Sequence, residues 1–146
     1  MASTRSRLGI VGTGNFAVAL ATSLAKSGYD VIIGSRKPEE RRATLPLPEN
    51  LKTQVAVERI ADCFADCDVI FIAIHAENFL ETLGGHANVA GGKLLVDVTN
   101  SARCDVTRSN AQLLADILPD AVVVKAFNSV PALAFDQVCS KLIICF

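Results

Sequence analysis

Apolar residues in this chain fall into short blocks, and longer stretches of helical spacing separate them. L-G-I-V at 8–11 is a compact apolar strand. Residues 15–27 place Phe16, Leu20 and Leu24, with nearby alanines, on one side of a helix that Gly28 ends. A second strand is predicted at 29–34, and Pro38 with the E-E-R-R run opens a solvated helix. Pro46 and Pro48 mark a loop rather than a linker. An edge-like strand at 53–57 and a short helix at 58–66 follow. The continuous run D-V-I-F-I-A-I at 68–74 reads as a buried parallel strand. A helical stretch near 77–83, the turn at Gly91-Gly92, and strand 93–98 come next. Helix 109–118, stopped by Pro119, and a sixth strand at 121–126 complete the pattern.

Strands alternating with helices predict an α/β fold, a doubly wound parallel sheet of Rossmann type in the order 3-2-1-4-5-6. The chain of 146 residues is expected to form a single domain, with its core at 7–135. The apolar end F-D-Q-V-C-S-K-L-I-I-C-F is unlike a polar surface terminus, and the reading here is a domain truncated or replaced at its C-terminus. That end and an incomplete sheet edge open the way to homo-oligomers.

Composition narrows the class. Hydrophobic residues make up 51% and the net charge is −1, so no nucleic-acid partner is expected. No apolar run reaches the roughly 20 residues of a membrane helix, and no signal region follows the short basic N-terminus. The five cysteines, Cys63, Cys67, Cys104, Cys139 and Cys145, have no zinc-type spacing and favour a reducing, cytoplasmic setting. Cys63 and Cys67, four apart, read as buried thiols rather than a metal or redox pair. No metal site is expected.

The chemistry begins at the turn G-T-G-N-F-A, residues 12–17. Gly12 permits a tight turn after the first strand, and Gly14 lets the backbone approach a pyrophosphate. Ala17 is small enough for close helix–strand packing. The helix from Asn15 offers free amides to phosphate charge. The end of the second strand then discriminates between cofactors. An acidic residue there would bind the ribose hydroxyls of NAD, but this chain has Ser35, Arg36 and Lys37. A hydroxyl, a planar guanidinium and a point charge suit a 2′-phosphate, so NADPH is the expected cofactor.

Other candidates stand at strand ends. Ala73, Ile74 and His75 would border the nicotinamide half. His75 either contacts an acceptor or caps the strand at a wet edge, while His86 reads as an exposed loop residue. Asp97, Thr99 and Asn100 arrive at the site rim. Lys125 interrupts an apolar strand, and Ala126, Phe127 and Asn128 emerge where a nicotinamide or flavin ring could rest, unless local strand-end bonding explains them. No nucleophile–base set or carboxylate dyad is present, and no catalytic side chain is assigned. That fits hydride transfer, in which the cofactor carries the chemistry.

The segments V-G-T-G-N-F-A, I-I-G-S-R, V-D-V-T-N, S-N-A-Q-L-L-A and V-V-K-A-F-N resemble the N-terminal oxidoreductase domain of the STEAP metalloreductases. They also resemble the F420-dependent NADP reductases. The metalloreductase resemblance implies an NADPH-dependent oxidoreductase on the cytosolic face of a membrane. Hydride passes to FAD or another flavin, then electrons pass through a haem-bearing membrane partner to ferric or cupric ions. It places Gly12, Thr13, Gly14, Asn15 and Phe16 at the pyrophosphate and Ser35, Arg36 and Lys37 at the 2′-phosphate. Ala73 to His75 and Asn100 line the nicotinamide side, and Lys125 to Asn128 flank the hydride-transfer region. The alternatives are an NADPH:F420-type reductase and a non-catalytic NADP-binding module or inactive truncated product.

Overall fold

In the computed structural model, residues 6–100 and 107–138 are described. Cys104, Cys139, Cys145 and the apolar end from residue 139 lie outside them. Six parallel strands form one sheet in the order β3-β2-β1-β4-β5-β6, as the sequence pattern predicts. They are β1 (Leu8–Val11), β2 (Val31–Ser35), β3 (Val55–Arg59), β4 (Val69–Ile72), β5 (Leu94–Asp97) and β6 (Val122–Lys125). The helices are α1 (Asn15–Lys26), α2 (Pro38–Thr44), α3 (Ile60–Asp66), α4 (Phe79–Leu83), α5 (Ala87–Ala90), α6 (Asn110–Ile117) and α7 (Ala132–Val138).

Strand periodicity divides the core into two layers. Ile10, Ile33, Phe71 and Val96 face the layer that holds Leu20 and Leu24 of α1 and Phe135 of α7. Val11, Ile32, Ile70, Ile72 and Leu95 face the layer with Phe64, Phe79, Leu83 and Leu114. The central strands β1, β2, β4 and β5 therefore lack polar alternation, because both their faces are covered. Each fully buried Leu or Ile contributes about 1.5–3 kcal/mol relative to exposure.

The ends of α1 follow from local sequence. Gly28 takes φ +90°, its N–H bonds Ala25 O at 2.9 Å, and the Tyr29 N–H bonds Leu24 O at 3.1 Å. This is the Schellman pattern, which a glycine in left-handed backbone makes inexpensive. Ser109 caps α6 through a reciprocal pair with Gln112.

Two local differences from the expected pattern have clear causes. The third strand is shifted to Val55–Arg59, because Glu58 and Arg59 continue the ladder opposite Gly34 and Ser35. The sixth strand stands at the sheet edge, as the predicted order requires, with Val122 56% and Val124 40% exposed. His86 is half-buried rather than exposed, since its ring stacks on Phe64 with centroids 5.4 Å apart.

Helix α3 lies close on β1, and Gly9 makes this possible. A Cβ at Gly9 would stand 2.7 Å from Cys63 Sγ. Cys63 and Cys67 are both buried, as expected for packing thiols. The hydrogen bond to Cys67, then burial, push the Cys63 thiol up from its ordinary range, so it stays protonated at neutral pH. Peptide-resolved alkylation is expected to leave both residues unlabelled in the native chain and to label both after unfolding in denaturant. Rapid native labelling would show that α3 opens readily.

Candidate functional site

The strand order reverses between β1 and β4, which are direct neighbours. Crevices at such a switch point, beyond the carboxyl ends of the strands, receive ligands in open α/β sheets. The Ala73 N–H donates to Val11 O at 2.8 Å, and the Gly12 N–H donates to Gly34 O at 3.2 Å. Gly12 has φ +133°, and a Cβ there would stand 2.3 Å from Ala73 O. Only glycine fits this turn, for reasons internal to the protein.

Gly14 is different. Its backbone is ordinary, with φ −78° and ψ 179°, and a Cβ would meet nothing within 4 Å. Neither strain nor packing within the chain calls for glycine there. The missing side chain leaves room for something outside the protein. Gly14 is also the N-cap of α1, and it supplies no side-chain cap. The first turn of α1 has no acidic residue. The first turn of a helix carries amides without intrahelical partners and the positive end of the helix dipole, an arrangement that suits an anionic group.

A cleft of about 500 Å³ runs from this turn to the end of β2. Gly12, Thr13, Ser35, Arg36, Lys37 and Ile74 all line it. Ser35 is buried, and its Oγ accepts the Lys37 N–H at 3.0 Å, leaving the hydroxyl proton to donate. Arg36 and Lys37 are exposed at the rim. Arg36 Nη1 pairs with Glu81 of α4 at 3.2 Å, and Lys37 Nζ with Glu40 of α2 at 3.5 Å. Ile60, Asn78, Thr82, Glu40 and Arg41 also line the cleft, and the sequence reading did not single them out. For Arg41 a signal existed. It lies four residues after Lys37, whose carbonyl accepts its N–H, so the two stand on one side of the helix start.

The remaining candidates are placed elsewhere. Phe16 contributes a backbone amide at the helix start, but its ring packs edge-on against Phe135, with centroids 5.3 Å apart. Asn15 is exposed beside the turn. His75 is exposed, and its side chain caps nothing in the turn that follows. Asn100 and Asn128 are exposed at the ends of neighbouring strands, outside the cleft lining.

Lys125 is turned inward toward Asp97, which is fully buried. Lys125 Nζ donates to Asp97 Oδ2 at 3.0 Å and also to Thr99 O. Asp97 Oδ1 accepts the Thr99 N–H at 2.9 Å and the Thr99 hydroxyl at 2.6 Å. Asn110 Nδ2 then donates to Thr99 Oγ1 at 2.7 Å. This network ties the ends of β5 and β6 together, and the Ala126 N–H adds a bond to Asp97 O at 3.0 Å. Phe127 has φ +60°, a costly conformation for an aromatic residue. Its ring lies 6.1 Å from both Phe71 and Phe135.

Among the described residues no cluster could hold a metal ion, and no helix is long and apolar enough to cross a membrane.

Comparison with known proteins agrees with this fold. The chain is 37% identical to human metalloreductase STEAP2 over 128 residues, 87% of this chain and 25% of the relative. It is 37% identical to rat metalloreductase STEAP3 over 88% of this chain and 25% of the relative. It thus spans about a quarter of the length of these relatives. A crystal structure assigned as an F420-dependent NADP reductase of Arthrobacter sp. FB24 superposes with a TM-score of 0.75 at 26% identity. That match covers 86% of this chain and 64% of the other. Residues 7–101 match the family described as NADP oxidoreductase, coenzyme F420-dependent, and the chain belongs to that family.

Proposed function

We propose that this chain is the NADPH-binding part of a metalloreductase, passing hydride to a flavin and through it electrons to ferric or cupric ions. The observation that carries the cofactor reading is the cleft that joins the Gly12–Thr13 turn, just before the open position at Gly14, to the basic end of β2. The likeness to two metalloreductases supports the acceptor. On this reading the chain works on the cytosolic face of a membrane, with FAD or another flavin between it and a haem-bearing partner.

NADPH, when bound, supplies the hydride. The chain's own residues bind and orient. Amides of the Gly12–Gly14 turn and the start of α1 would hold the pyrophosphate. The Ser35 hydroxyl would donate to the 2′-phosphate, with Arg36, Lys37 and Arg41 supplying charge around it. The Ala73–His75 backbone and Ala126 to Asn128 would border the ring half. Lys125 would act at a distance, by fixing the strand ends through Asp97. No side chain here needs to move a proton, which suits hydride transfer.

A second reading, an NADPH:F420-type reductase, draws on the family description and the Arthrobacter structure. The acceptor separates the two. In calorimetric titration the chain is expected to bind NADPH at least ~10-fold more tightly than NADH, a gap of about 1.4 kcal/mol. Gly14→Ala should weaken NADPH by at least ~10-fold while changing stability by about 1 kcal/mol or less, because the added Cβ meets no protein atom within 4 Å and the cost is that of a poorer N-cap. Loss of NADPH absorbance on adding FAD supports the leading reading, and loss only with a deazaflavin supports the second. Binding without reduction of either makes the chain a non-catalytic NADP-binding module. Equal affinity for the two nucleotides would sink the 2′-phosphate assignment.

A further inference from the structure

We propose that Glu81 is a specificity-determining residue that competes with the 2′-phosphate of NADPH for Arg36; this rests on the cofactor reading above. Arg36 follows β2, Glu81 belongs to α4, and 45 residues separate them in sequence. Their ion pair at 3.2 Å therefore joins two different elements at the cleft. Arg36, Asn78 and Thr82 line that cleft, and Glu81, which does not, reaches it through its pairing with Arg36. The pair is exposed, with 62% and 73% of the two side chains open to solvent, so it is a weak and breakable contact.

The pair holds the guanidinium toward α4, where it already has an anionic partner. A 2′-phosphate must draw Arg36 away from that carboxylate, and it then sits near an uncompensated negative charge. Both effects oppose NADPH, and the repulsion applies only to the phosphorylated cofactor. The other carboxylate in the cluster, Glu40, pairs with Lys37 three residues away on the same short segment. It can swing aside within its own helix. Glu81 reaches in from another element and cannot follow Arg36 as readily.

The test is titration of the wild-type chain, Glu81→Gln and Glu81→Lys with NADPH and with NADH at low and high salt. Glu49→Gln, which removes a carboxylate paired with Lys52 outside the cleft lining, is the control. Glu81→Gln is expected to tighten NADPH about three- to ten-fold, and Glu81→Lys more, while NADH changes by less than about two-fold. The gain should shrink at high salt, as it must for exposed charges. Glu49→Gln should change nothing. Weaker NADPH binding by Glu81→Gln would overturn the proposal, since Glu81 would then position Arg36 rather than compete for it. An unchanged NADPH affinity, or an equal gain for NADH, would overturn it as well. Failure of the wild type to bind NADPH would instead remove the cofactor reading, and this inference with it. Melting temperatures of the variants identify any change that is merely structural.

Discussion

Lys125→Met is expected to cost the fold about 3–5 kcal/mol, because it strands a buried carboxylate without its cation. Asp97 is fully buried, and Lys125 is the cation that approaches it, at 3.0 Å. Among the described residues, the Asp97 carboxylate then keeps two bonds, both from Thr99. Asp97→Asn should cost less, because Lys125 is one-third exposed and can turn to water. The double change Asp97→Asn with Lys125→Met should recover part of the loss, giving a positive coupling in a double-mutant cycle. Urea unfolding measures all four corners. A loss under about 1 kcal/mol for Lys125→Met would mean that the bonds from Thr99 satisfy Asp97 without the lysine. The prediction also bears on function. The network fixes Thr99 and Ala126, so a folded Lys125 variant should bind NADPH with its ring half less ordered. Hydride transfer should then fall more than affinity does.

The elements most legible in the sequence were those whose pattern had a local cause. The glycine turn, the strand at 68–74 and the helix ending at Gly28 each follow from backbone sterics or from burial on both faces. The strand order followed because short parallel strands joined by helices admit few topologies. What stayed hidden depended on contacts across the sheet. Nothing near His86 in sequence announces Phe64 as a stacking partner, 22 residues earlier. Lys125 looked like a site residue because a lysine in an apolar strand is unusual. Its partner, Asp97, is 28 residues away and becomes adjacent only when β5 and β6 pair. Phe16 stands inside the turn motif, yet its ring serves the packing of α1 on α7. The basic cluster was legible in part. Ser35, Arg36 and Lys37 were visible as a run, whereas Arg41 was masked by the solvated look of E-E-R-R and Glu81 by its distance.

Removing the charges of that cluster should give the largest change in cofactor affinity. Arg36→Ala with Lys37→Ala is expected to weaken NADPH by about 100-fold, roughly 2.7 kcal/mol, and NADH by less than about three-fold. Two lost charge-assisted bonds account for that size once exposure is allowed for, since both side chains lie more than half open to solvent. The double variant should also flatten the salt dependence of NADPH binding toward that of NADH. Stability should hardly change, because the ion pairs lost are exposed ones. Titration at two ionic strengths reads both effects. If NADPH and NADH weaken equally, the basic residues hold the shared adenosine or pyrophosphate, and the 2′-phosphate lies elsewhere. The same variants report on Glu81 independently. In a chain without Arg36, Glu81→Gln has no guanidinium to release. Its benefit to NADPH should shrink to the small share that comes from direct repulsion of the phosphate.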